Sequence, residues 1–298
     1  MDHTQIQKAY WDQLASQVKN PIACTHAVTA DNKPMSDQVF TAVAKYLHAN
    51  FLSELPGGEV LEIGCGNGLI LKELELLLPQ GKWALSGADV SSEMLARTVA
   101  PSATLYCCDA KNLPVAAKQF DFIYLHSVVQ YFDNDQYMQE VMQECARLLK
   151  DGGSICLLDV PMIWYKPYMV GAPKGIRHFL RTQFPAMQRL YKRLRPTKNA
   201  TSLQTVVSNV NGTQVTLPVF NGYWADPDMF QKLSFEDISI RMQPYSEKPL
   251  GYRKFRFNVH LKRLKLALIT AVNGASAALL EMETLFPVAG LFGTVGMH

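Results

Sequence analysis

Apolar and polar positions along the first 160 residues form blocks that predict strands and helices in turn. Five short apolar runs have the length of buried strands, and segments with apolar residues at helical spacing separate them. The runs lie at 60–63, 83–90, 104–110, 120–126 and 154–160. This order predicts an α/β fold, a doubly wound and mostly parallel sheet that binds ligands at the carboxyl edge of its strands.

Amphipathic spacing also predicts the helices that cover this sheet. They are expected at 4–19, 36–52, 69–78 and 135–150. Another helix opens at Ser91 or Ser92, since either is a natural N-cap. Farther along, 206–217 predicts a hairpin with Asn211-Gly212 as its type I′ turn. A last helix is expected from Asp226-Pro227, because proline suits the first helical turn.

The strongest chemical signal is the stretch 59–70. An apolar run there ends in three glycines at alternate positions, Gly64, Gly66 and Gly68, before a helical pattern begins. Glycine lets the backbone approach a ligand closely and adopt positive φ, and a helix N-terminus offers free N–H groups. The dinucleotide fingerprint G-x-G-x-x-G is not matched. Glu62, inside the strand, suits a ligand with an ammonium group rather than a pyrophosphate.

Acidic residues close the next two predicted strands. Asp89 lies 21 residues past Gly68, about the distance that places a carboxylate on a ribose diol. Asp109 ends the third strand. Nicotinamide sites share the first acid but require none at the second position. The pair therefore indicates a nucleoside ligand and makes a nicotinamide less favoured.

Taken together, these segments resemble motif I and the following motifs of the class I, Rossmann-like, S-adenosylmethionine (SAM) methyltransferases, in their small-molecule (type 11/25-like) branch. Leu113-Pro114 and the run 147–153, Arg-Leu-Leu-Lys-Asp-Gly-Gly, also match the family's usual text. The resemblance covers roughly 5–160 and 226–263. Four separate motifs agree with it in order and spacing.

The resemblance implies a seven-stranded sheet with helices on both faces and a lid insertion between strands five and six. Two more predicted strands, 238–242 and 255–261, would be its closing antiparallel pair. The implied organisation is a methyltransferase domain at 1–263, with a lid and acceptor insertion at 161–225. An apolar extension follows at 264–298.

The resemblance also implies SAM as cofactor and S-adenosylhomocysteine (SAH) as its product. Glu62 would lie near the methionine amine, Asp89 on the ribose and Asp109 on the adenine amino group. The implied cofactor contacts are Tyr10, Glu62, Gly64, Cys65, Gly66, Asp89, Val90, Asp109, Ala110 and His126. Tyr10 lies in a segment similar to the family's lid helix, where an aromatic residue closes over the cofactor. Alternatively, Tyr10 and Trp11 simply pack on the sheet.

Catalysis by such a fold is an in-line displacement, so the protein mainly positions the nucleophile, and a general base helps if the acceptor is a hydroxyl. His126 ends the fourth strand and has a pKa near working pH. We take His126 and Tyr131 as catalytic candidates, although a histidine there also suits cofactor stacking or a backbone hydrogen bond. Weaker candidates for acceptor contact are Tyr165, His178 and Tyr245.

The acceptor atom is indicated by the segment after strand four. Ser127-Val128-Val129-Gln130 stands where many amino-group methyltransferases carry Asn/Asp-Pro-Pro-Tyr/Phe, which favours an oxygen or carbon acceptor. We predict an O-methyltransferase acting on a hydroxyl or carboxyl oxygen of a natural-product, lipid-like or glycan substrate. The alternatives are a SAM-binding assembly or regulatory protein without turnover, a nicotinamide enzyme, or a SAM-fold enzyme that methylates nitrogen or carbon or catalyses another reaction.

The net charge of +3 conceals one basic segment. Residues 161–225 contain no Asp or Glu and nine basic residues. They are Lys166, Lys174, Arg177, Arg181, Arg189, Lys192, Arg193, Arg195 and Lys198. This charge suits an anionic or carrier-bound acceptor, an acidic membrane surface or a solvated lid. Nucleic acid is not predicted as a partner, because the segment lacks a recognised reading motif.

The extension at 264–298 is apolar, and its run 266–280 is too short and too polar to predict a membrane span. A helix on the core, a dimer contact and an interfacial anchor remain open. The six cysteines contain no Cys-x-x-Cys pair, so neither a metal site nor a disulfide framework is predicted. A polar start without a secretory leader predicts a cytoplasmic protein. Membrane-surface association or a dimer contact would involve 174–198 and 264–298.

Overall fold

The computed structural model describes residues 2–25, 27, 33–161, 205–218, 223–242 and 256–264. Its helices are α1 His3–Gln17, α2 Gln38–Leu47, α3 Leu69–Leu77, α4 Ser92–Leu95 and α5 Asp135–Leu148. Its strands are β1 Gly58–Ile63, β2 Trp83–Asp89, β3 Thr104–Cys107, β4 Phe120–His126, β5 Leu149–Pro161, β6 Thr205–Val210, β7 Thr213–Pro218, β8 Phe235–Met242 and β9 Arg256–Leu264.

Seven of these strands form one mixed sheet in the order β3-β2-β1-β4-β5-β9-β8. The first five pair in parallel, whereas β9 runs antiparallel to both β5 and β8. The predicted doubly wound, mostly parallel, seven-stranded sheet is therefore confirmed, and so is its closing antiparallel pair. Strand order reverses between β1 and β4, which is where such sheets form a ligand crevice.

Both faces of the sheet are covered by apolar packing. On one face α5 and the short 3₁₀ helix Pro227–Lys232 cover the strands, and this core includes Ile63, Leu125, Met138, Val141, Phe230 and Phe257. On the other face α2 and α3 do so, and this core includes Val43, Leu47, Val60, Leu71, Leu74, Phe122 and Tyr124. The central strands are buried on both sides, as their apolar runs predict.

Several element boundaries differ from the prediction by a few residues, and two of the shifts change how a motif is placed. The helix expected to end at residue 150 ends at Leu148, and β5 begins at once, because Leu149 already pairs with Phe120 of β4. The Asp-Gly-Gly segment therefore lies inside the irregular start of β5 rather than before it. The strand expected to reach residue 110 ends at Cys107, and the Cys108 N–H then donates to the Asp89 carbonyl.

Helix α1 lies across the carboxyl edge of the sheet rather than on a face. The Thr4 hydroxyl donates to the Asp109 carboxylate at 2.7 Å, beyond β3, and the His3 ring bonds the Tyr131 carbonyl at 2.8 Å, beyond β4. Beyond β2, the Ser91 hydroxyl donates to the Asp12 carboxylate at 2.6 Å. α1 thus spans three strand ends, which is the position of a lid helix.

The predicted hairpin is confirmed, because β6 and β7 pair with a two-residue turn at Asn211-Gly212. Both turn residues have positive φ, 49° and 80°, as a type I′ turn requires. The hairpin packs on α1 in an apolar cluster that joins Val215 and Leu217 to Tyr10 and Leu14. This cluster connects the hairpin to α1.

Several predictions fall outside the described residues. They concern the basic residues between 162 and 204, the acceptor candidates Tyr165, His178 and Tyr245, and the extension beyond 264. Across the described ranges, no helix has the length and apolar character that a membrane crossing requires. Ser91 is the N-cap of α4, as predicted, with its hydroxyl accepting from the Met94 N–H.

Candidate functional site

A cavity of about 250 Å³ opens at the carboxyl edge of the sheet. The residues that follow β1, β2, β4 and β5 form its floor, and α1 and the start of α2 close its sides. This is the predicted location for a ligand in a doubly wound sheet. The cavity has a polar wall of carboxyl groups and an apolar wall that includes Met35, Val39 and Phe40.

The glycine turn forms the part of the cavity beyond β1. Gly64 has φ 74°, and a Cβ at this position would lie 2.3 Å from Cγ2 of Val128, so no larger residue fits. Gly66 has φ 56°, and its N–H donates to the Asp89 carboxylate at 2.8 Å. The glycines thus let the chain turn sharply under the loop that follows β4.

Asp89 organises the second strand end. One carboxylate oxygen accepts from the Gly66 N–H, and the other accepts from the Ser91 N–H at 2.9 Å. Burial raises the pKa of Asp89, and these backbone hydrogen bonds oppose that rise. The carboxylate is therefore held in place between the glycine turn and α4, on the wall of the cavity.

Glu62 is a buried carboxyl group, 3% exposed, that also lines the cavity. It accepts a hydrogen bond from the Tyr124 hydroxyl at 3.0 Å. Burial raises its pKa well above the usual range, and the nearby Asp89 carboxylate adds to that rise. Among the described residues Glu62 forms no ion pair with a lysine, arginine or histidine. A cationic ligand group would supply the missing partner.

A second polar atom beside the turn also lacks a protein partner. Asn67 is fully buried and lines the cavity, and its amide nitrogen donates to the Pro21 carbonyl at 2.9 Å. Its Oδ1 accepts no hydrogen bond from the part of the chain that is described. Buried acceptors are normally satisfied, so this oxygen is an exception among the described residues. The Glu62 carboxyl, which lines the cavity, fits a ligand that donates hydrogen bonds.

Most of the predicted cofactor residues meet in this one cavity. Those that line it are Glu62, Gly64, Cys65, Gly66, Asp89, Val90, Ala110 and His126, together with the catalytic candidate Tyr131. The sequence places them at four separate strand ends, those of β1, β2, β3 and β4. Within the described ranges, no three His, Cys, Asp or Glu residues are grouped as metal ligands.

Two predicted contacts are placed differently. Tyr10 is buried in the apolar cluster with Leu14, because the two residues share one face of α1, and Trp11 is the aromatic residue of α1 that lines the cavity. The Asp109 carboxylate accepts hydrogen bonds from the hydroxyls of Thr4 and Tyr137, at 2.7 and 2.6 Å. Its neighbours Cys108 and Ala110 line the cavity instead.

Tyr131 is a half-buried residue that lines the cavity. Its ring meets the Trp11 ring edge to face at 5.0 Å between centroids. Burial raises the pKa of Tyr131 to about 12, although the positive charge of Arg256 partly opposes the rise. Tyr131 therefore keeps its hydroxyl proton at neutral pH, so as a base it would require a strong local perturbation.

Sequence reasoning missed a polar group at the ends of β4, β5 and β9. The Ser127 hydroxyl donates to the Asp159 carboxylate at 2.5 Å, and the Arg256 Nε lies 3.7 Å from the same carboxylate. Arg256 also donates to the Asp159 carbonyl at 2.9 Å and to the Gln130 side-chain oxygen at 2.6 Å. All four side chains line the cavity.

A β-bulge explains how Asp159 reaches this wall. Leu157 pairs with Val259 and Val160 with Phe257, so two residues of β5 oppose one residue of β9. Without the extra residue, Asp159 would lie on the same face as Leu157, inside the apolar core. The bulge gives Asp159 a φ of 60°, and its N–H donates to the Asn258 side chain. The sequence signal for this polar group was an acidic residue, Asp159, within an otherwise apolar strand.

The strand order, the glycine turn and its two acids are typical of class I, Rossmann-like, SAM-dependent methyltransferase domains. Residues 61–157 match the family described as Methyltransferase domain. The structure of Haemonchus contortus phosphoethanolamine N-methyltransferase 1, in complex with phosphoethanolamine and SAH, aligns with a TM-score of 0.53 at 13% identity. The alignment covers 96% of this chain and 53% of the Haemonchus contortus chain. At 13% identity, this likeness shows the fold alone.

Curated relatives match over the same part of the chain. Methyltransferase GfsG of Streptomyces halstedii is 34% identical over 113 residues, which is 35% of this chain and 38% of the relative. The biotin biosynthesis bifunctional protein BioHC of Cellvibrio japonicus is 32% identical over 145 residues, 43% of this chain and 28% of the relative. The matches span less than half the length of these relatives.

Proposed function

We propose that this protein transfers a methyl group from SAM to a small-molecule acceptor. The observation that carries the proposal is the pair of carboxyl groups, the buried Glu62 and the half-buried Asp89, beside a glycine turn at the cavity wall. The match of residues 61–157 to a methyltransferase domain supports it, as does the similarity to the relative Methyltransferase GfsG.

The residues present fit SAM. Glu62, a buried carboxyl with no cationic partner in the part of the chain that is described, would hold the ammonium group, and Asp89 would bind the ribose hydroxyls. The turn leaves room for a ligand at Gly66, where the nearest atom to a Cβ would be Thr25 Cγ2 at 3.6 Å. When bound, SAM supplies an electrophilic methyl group on a positively charged sulfonium. The chain's own task is to orient the acceptor and to receive its proton.

We further propose an oxygen atom as the acceptor. Its support is that Ser127-Val128-Val129-Gln130 occupies the position of the motif typical of amino-group methyltransferases, and that Ser127 and Gln130 line the cavity. His126 lies on the same wall and is the base that the sequence predicts. Replacing His126 with Ala tests this role: lowered turnover at an SAH affinity within about threefold of wild type would assign the proton to His126, and unchanged turnover would assign it to another group of the cavity.

The direct test is calorimetric titration of the purified chain with SAM, SAH and NADH. We expect SAM and SAH to bind and NADH not to bind, because the turn lacks the dinucleotide spacing. Asp121→Asn is a matched control, since Asp121 pairs with Lys150 at 2.8 Å and does not line the cavity. Binding of NADH alone, or of none of the three ligands, would overturn the proposal.

A further inference from the structure

Ser127 and Asp159 share a hydrogen bond whose direction is determined by their chemistry. Asp159 is 5% exposed, and its ionised carboxylate only accepts hydrogen bonds. The 2.5 Å contact therefore commits the Ser127 proton to Asp159. The remaining lone pairs of Ser127 Oγ, which lines the cavity, are left to accept a hydrogen bond from a ligand. This wall presents acceptors to a ligand.

Arg256 supplies the balancing charge without offering itself to a ligand. Its Nε faces the Asp159 carboxylate, and its two terminal nitrogens donate to the Asp159 carbonyl and the Gln130 side-chain oxygen. The Gln130 amide in turn donates to the Ser127 carbonyl at 3.1 Å. The ion pair of Asp159 and Arg256 has no net charge, and the guanidinium nitrogens already face acceptors within the protein.

The backbone at both ends of the pair is held in the left-handed region. Ser127 has φ 56° and Asp159 has φ 60°, and the Ser127 N–H donates to the Leu158 carbonyl at 3.1 Å. Non-glycine residues rarely adopt this conformation unless surrounding contacts impose it, and such residues concentrate at functional sites. The bulge in β5 and the tight turn after β4 therefore bring the two side chains together at the cavity.

Building on the proposed function, we propose that Ser127 and Asp159 form the acceptor subsite and that it takes a neutral hydroxyl group. The hydroxyl donates its hydrogen bond to Ser127 Oγ. As the acceptor oxygen bonds to the methyl carbon and the carbon–sulfur bond breaks, the hydroxyl proton moves to Ser127 Oγ. The Ser127 proton moves at the same time to the Asp159 carboxylate, which later releases it to solvent. Asp159 acts through Ser127 and is a positioning residue.

This subsite narrows the substrate class. A carboxylate ligand would bring a second anion and no donor to a wall of acceptors, so carboxyl acceptors are disfavoured. An ammonium group could donate, but the neutral sum of Asp159 and Arg256 offers it no net attraction. The preferred acceptor is therefore a neutral alcohol or phenol carried on an apolar body, which the side chains of Met35, Val39 and Phe40 would contact.

The test uses three probes that share a ring and one carbon and differ in their polar group: benzyl alcohol, benzylammonium and benzoate. Their binding is measured by saturation-transfer NMR, with and without saturating SAH. Calorimetry with SAH on the same preparations tests the proposed function separately. We expect benzyl alcohol to bind with millimolar affinity, as suits so small a ligand, and at least about tenfold more tightly than benzoate.

Two variants test the assigned roles. Ser127→Gly removes the hydroxyl at a φ that glycine adopts readily, and it should weaken benzyl alcohol about tenfold while leaving SAH affinity unchanged. Asp159→Asn leaves Arg256 unbalanced and adds a donor, so it should invert the preference towards benzoate. Asp121 pairs with Lys150 away from the cavity. Asp121→Asn should therefore change neither the benzyl alcohol affinity nor the preference among the three probes.

An inverted preference separates a role in recognition from a merely structural one, because simple loosening of the wall would weaken all three probes alike. The proposal is overturned by tighter binding of benzoate or benzylammonium to the wild-type chain, or by no binding of any probe. It is equally overturned if Ser127→Gly leaves benzyl alcohol affinity unchanged, or if Asp159→Asn leaves the order of affinities unchanged.

Discussion

Glu62 and Asp89 show how one cavity wall places two acids in different surroundings. Asp89 accepts two backbone hydrogen bonds, whereas the described partner of Glu62 is the Tyr124 hydroxyl. Burial raises the pKa of both carboxyl groups, and it raises the pKa of Glu62 well above the usual range. Glu62 therefore destabilises the ligand-free fold when it ionises, and it stabilises a complex with a cation.

Replacing Glu62 with Gln is expected to flatten the dependence of stability on pH. The folded-state pKa lies above the unfolded value, so the folded chain binds the proton more tightly. The free energy of unfolding is then greatest below the usual carboxyl range and falls as the pH rises through the folded pKa. Gln removes this fall and keeps the hydrogen bond from Tyr124. Urea unfolding across pH, without ligand, measures the effect.

The same variant should bind SAH about 10- to 100-fold more weakly, because a charged hydrogen-bond partner of the ammonium group is lost. Asp121→Asn serves as control, since its carboxylate lies away from the cavity. Weaker binding together with an unchanged pH dependence would show that Glu62 contacts the ligand but is not responsible for the pH effect. Unchanged SAH affinity would remove Glu62 from the site.

Asp89→Asn tests the second acid. An asparagine oxygen can accept from only one side, so either the Gly66 or the Ser91 N–H loses its partner. We expect SAH affinity to fall about 10- to 100-fold, through both the disordered turn and the lost ribose contact. The midpoint temperature of thermal unfolding should fall only by the few degrees typical of the loss of one hydrogen bond. Full SAH affinity would contradict the assignment of Asp89 to the ribose.

At the level of elements, α1 is the part of the fold most dependent on side-chain bonds. Arg97, after α4, donates to the carbonyls of Ala15, Val18 and Lys19 around the C-terminal end of α1. A cation there satisfies carbonyls that the helix leaves unpaired and complements the helix dipole. Because α1 also carries Trp11 into the cavity wall, Arg97 couples the helix position to ligand binding.

Arg97→Met is expected to loosen α1 without loosening the sheet. Loss of these hydrogen bonds should raise amide exchange rates in α1 roughly tenfold, corresponding to ~1.4 kcal/mol of local stability, and lower SAH affinity severalfold. Exchange in β1 and β4 should not change. Hydrogen-exchange mass spectrometry measures both regions at once.

Arg263→Met is the matched control, because Arg263 pairs with Glu236 at the exposed edge of the sheet, away from α1. An exposed pair of this kind contributes little to stability. If Arg97→Met leaves amide exchange in α1 at the wild-type rate, the hydrogen bonds from Arg97 do not stabilise the end of α1. If exchange rises in α1 but SAH affinity is unchanged, α1 does not act as a lid.

The elements that the sequence predicted are those with a local signal. The glycine turn, the helix caps and the type I′ hairpin each depend on a few adjacent residues, and the structure confirms them. The bulge at Asp159 has no such signal. An apolar strand has the same sequence pattern with or without a bulge, because the bulge is determined by the register with the partner strand. The subsite of Ser127, Asp159 and Arg256 depends on that register and was missed for this reason.

For the molecule as a whole, the fold class followed from the order of strands and helices, whereas the cavity walls followed from contacts between distant segments. Asp109 illustrates the difference, because its place at a strand end was predicted but its bonds to Thr4 and Tyr137 come from two other elements. The cavity wall that contains the glycine turn and the wall that contains Ser127 likewise touch where the Gly64 turn lies under Val128.

That contact predicts a coupling between the two walls. In Gly64→Ala, the new methyl group would collide with Val128, which lies between Ser127 and Val129 at the acceptor side, and φ 74° is unfavourable for alanine. The left-handed conformation costs about 1–2 kcal/mol and the overpacking about 1–3 kcal/mol more. Urea unfolding should therefore show a loss of roughly 2–5 kcal/mol, and SAH affinity should fall with it.

Adding Val128→Ala should recover the overpacking part and leave the backbone part. The double variant would then be more stable than the sum of the single variants by about 1–3 kcal/mol, the range seen for residues in direct contact. SAH affinity should recover along with it, since the turn can return to its place. Strict additivity would mean that the β4 loop moves aside freely, so that the two walls of the cavity adapt independently and the acceptor subsite is not held in register with the cofactor site.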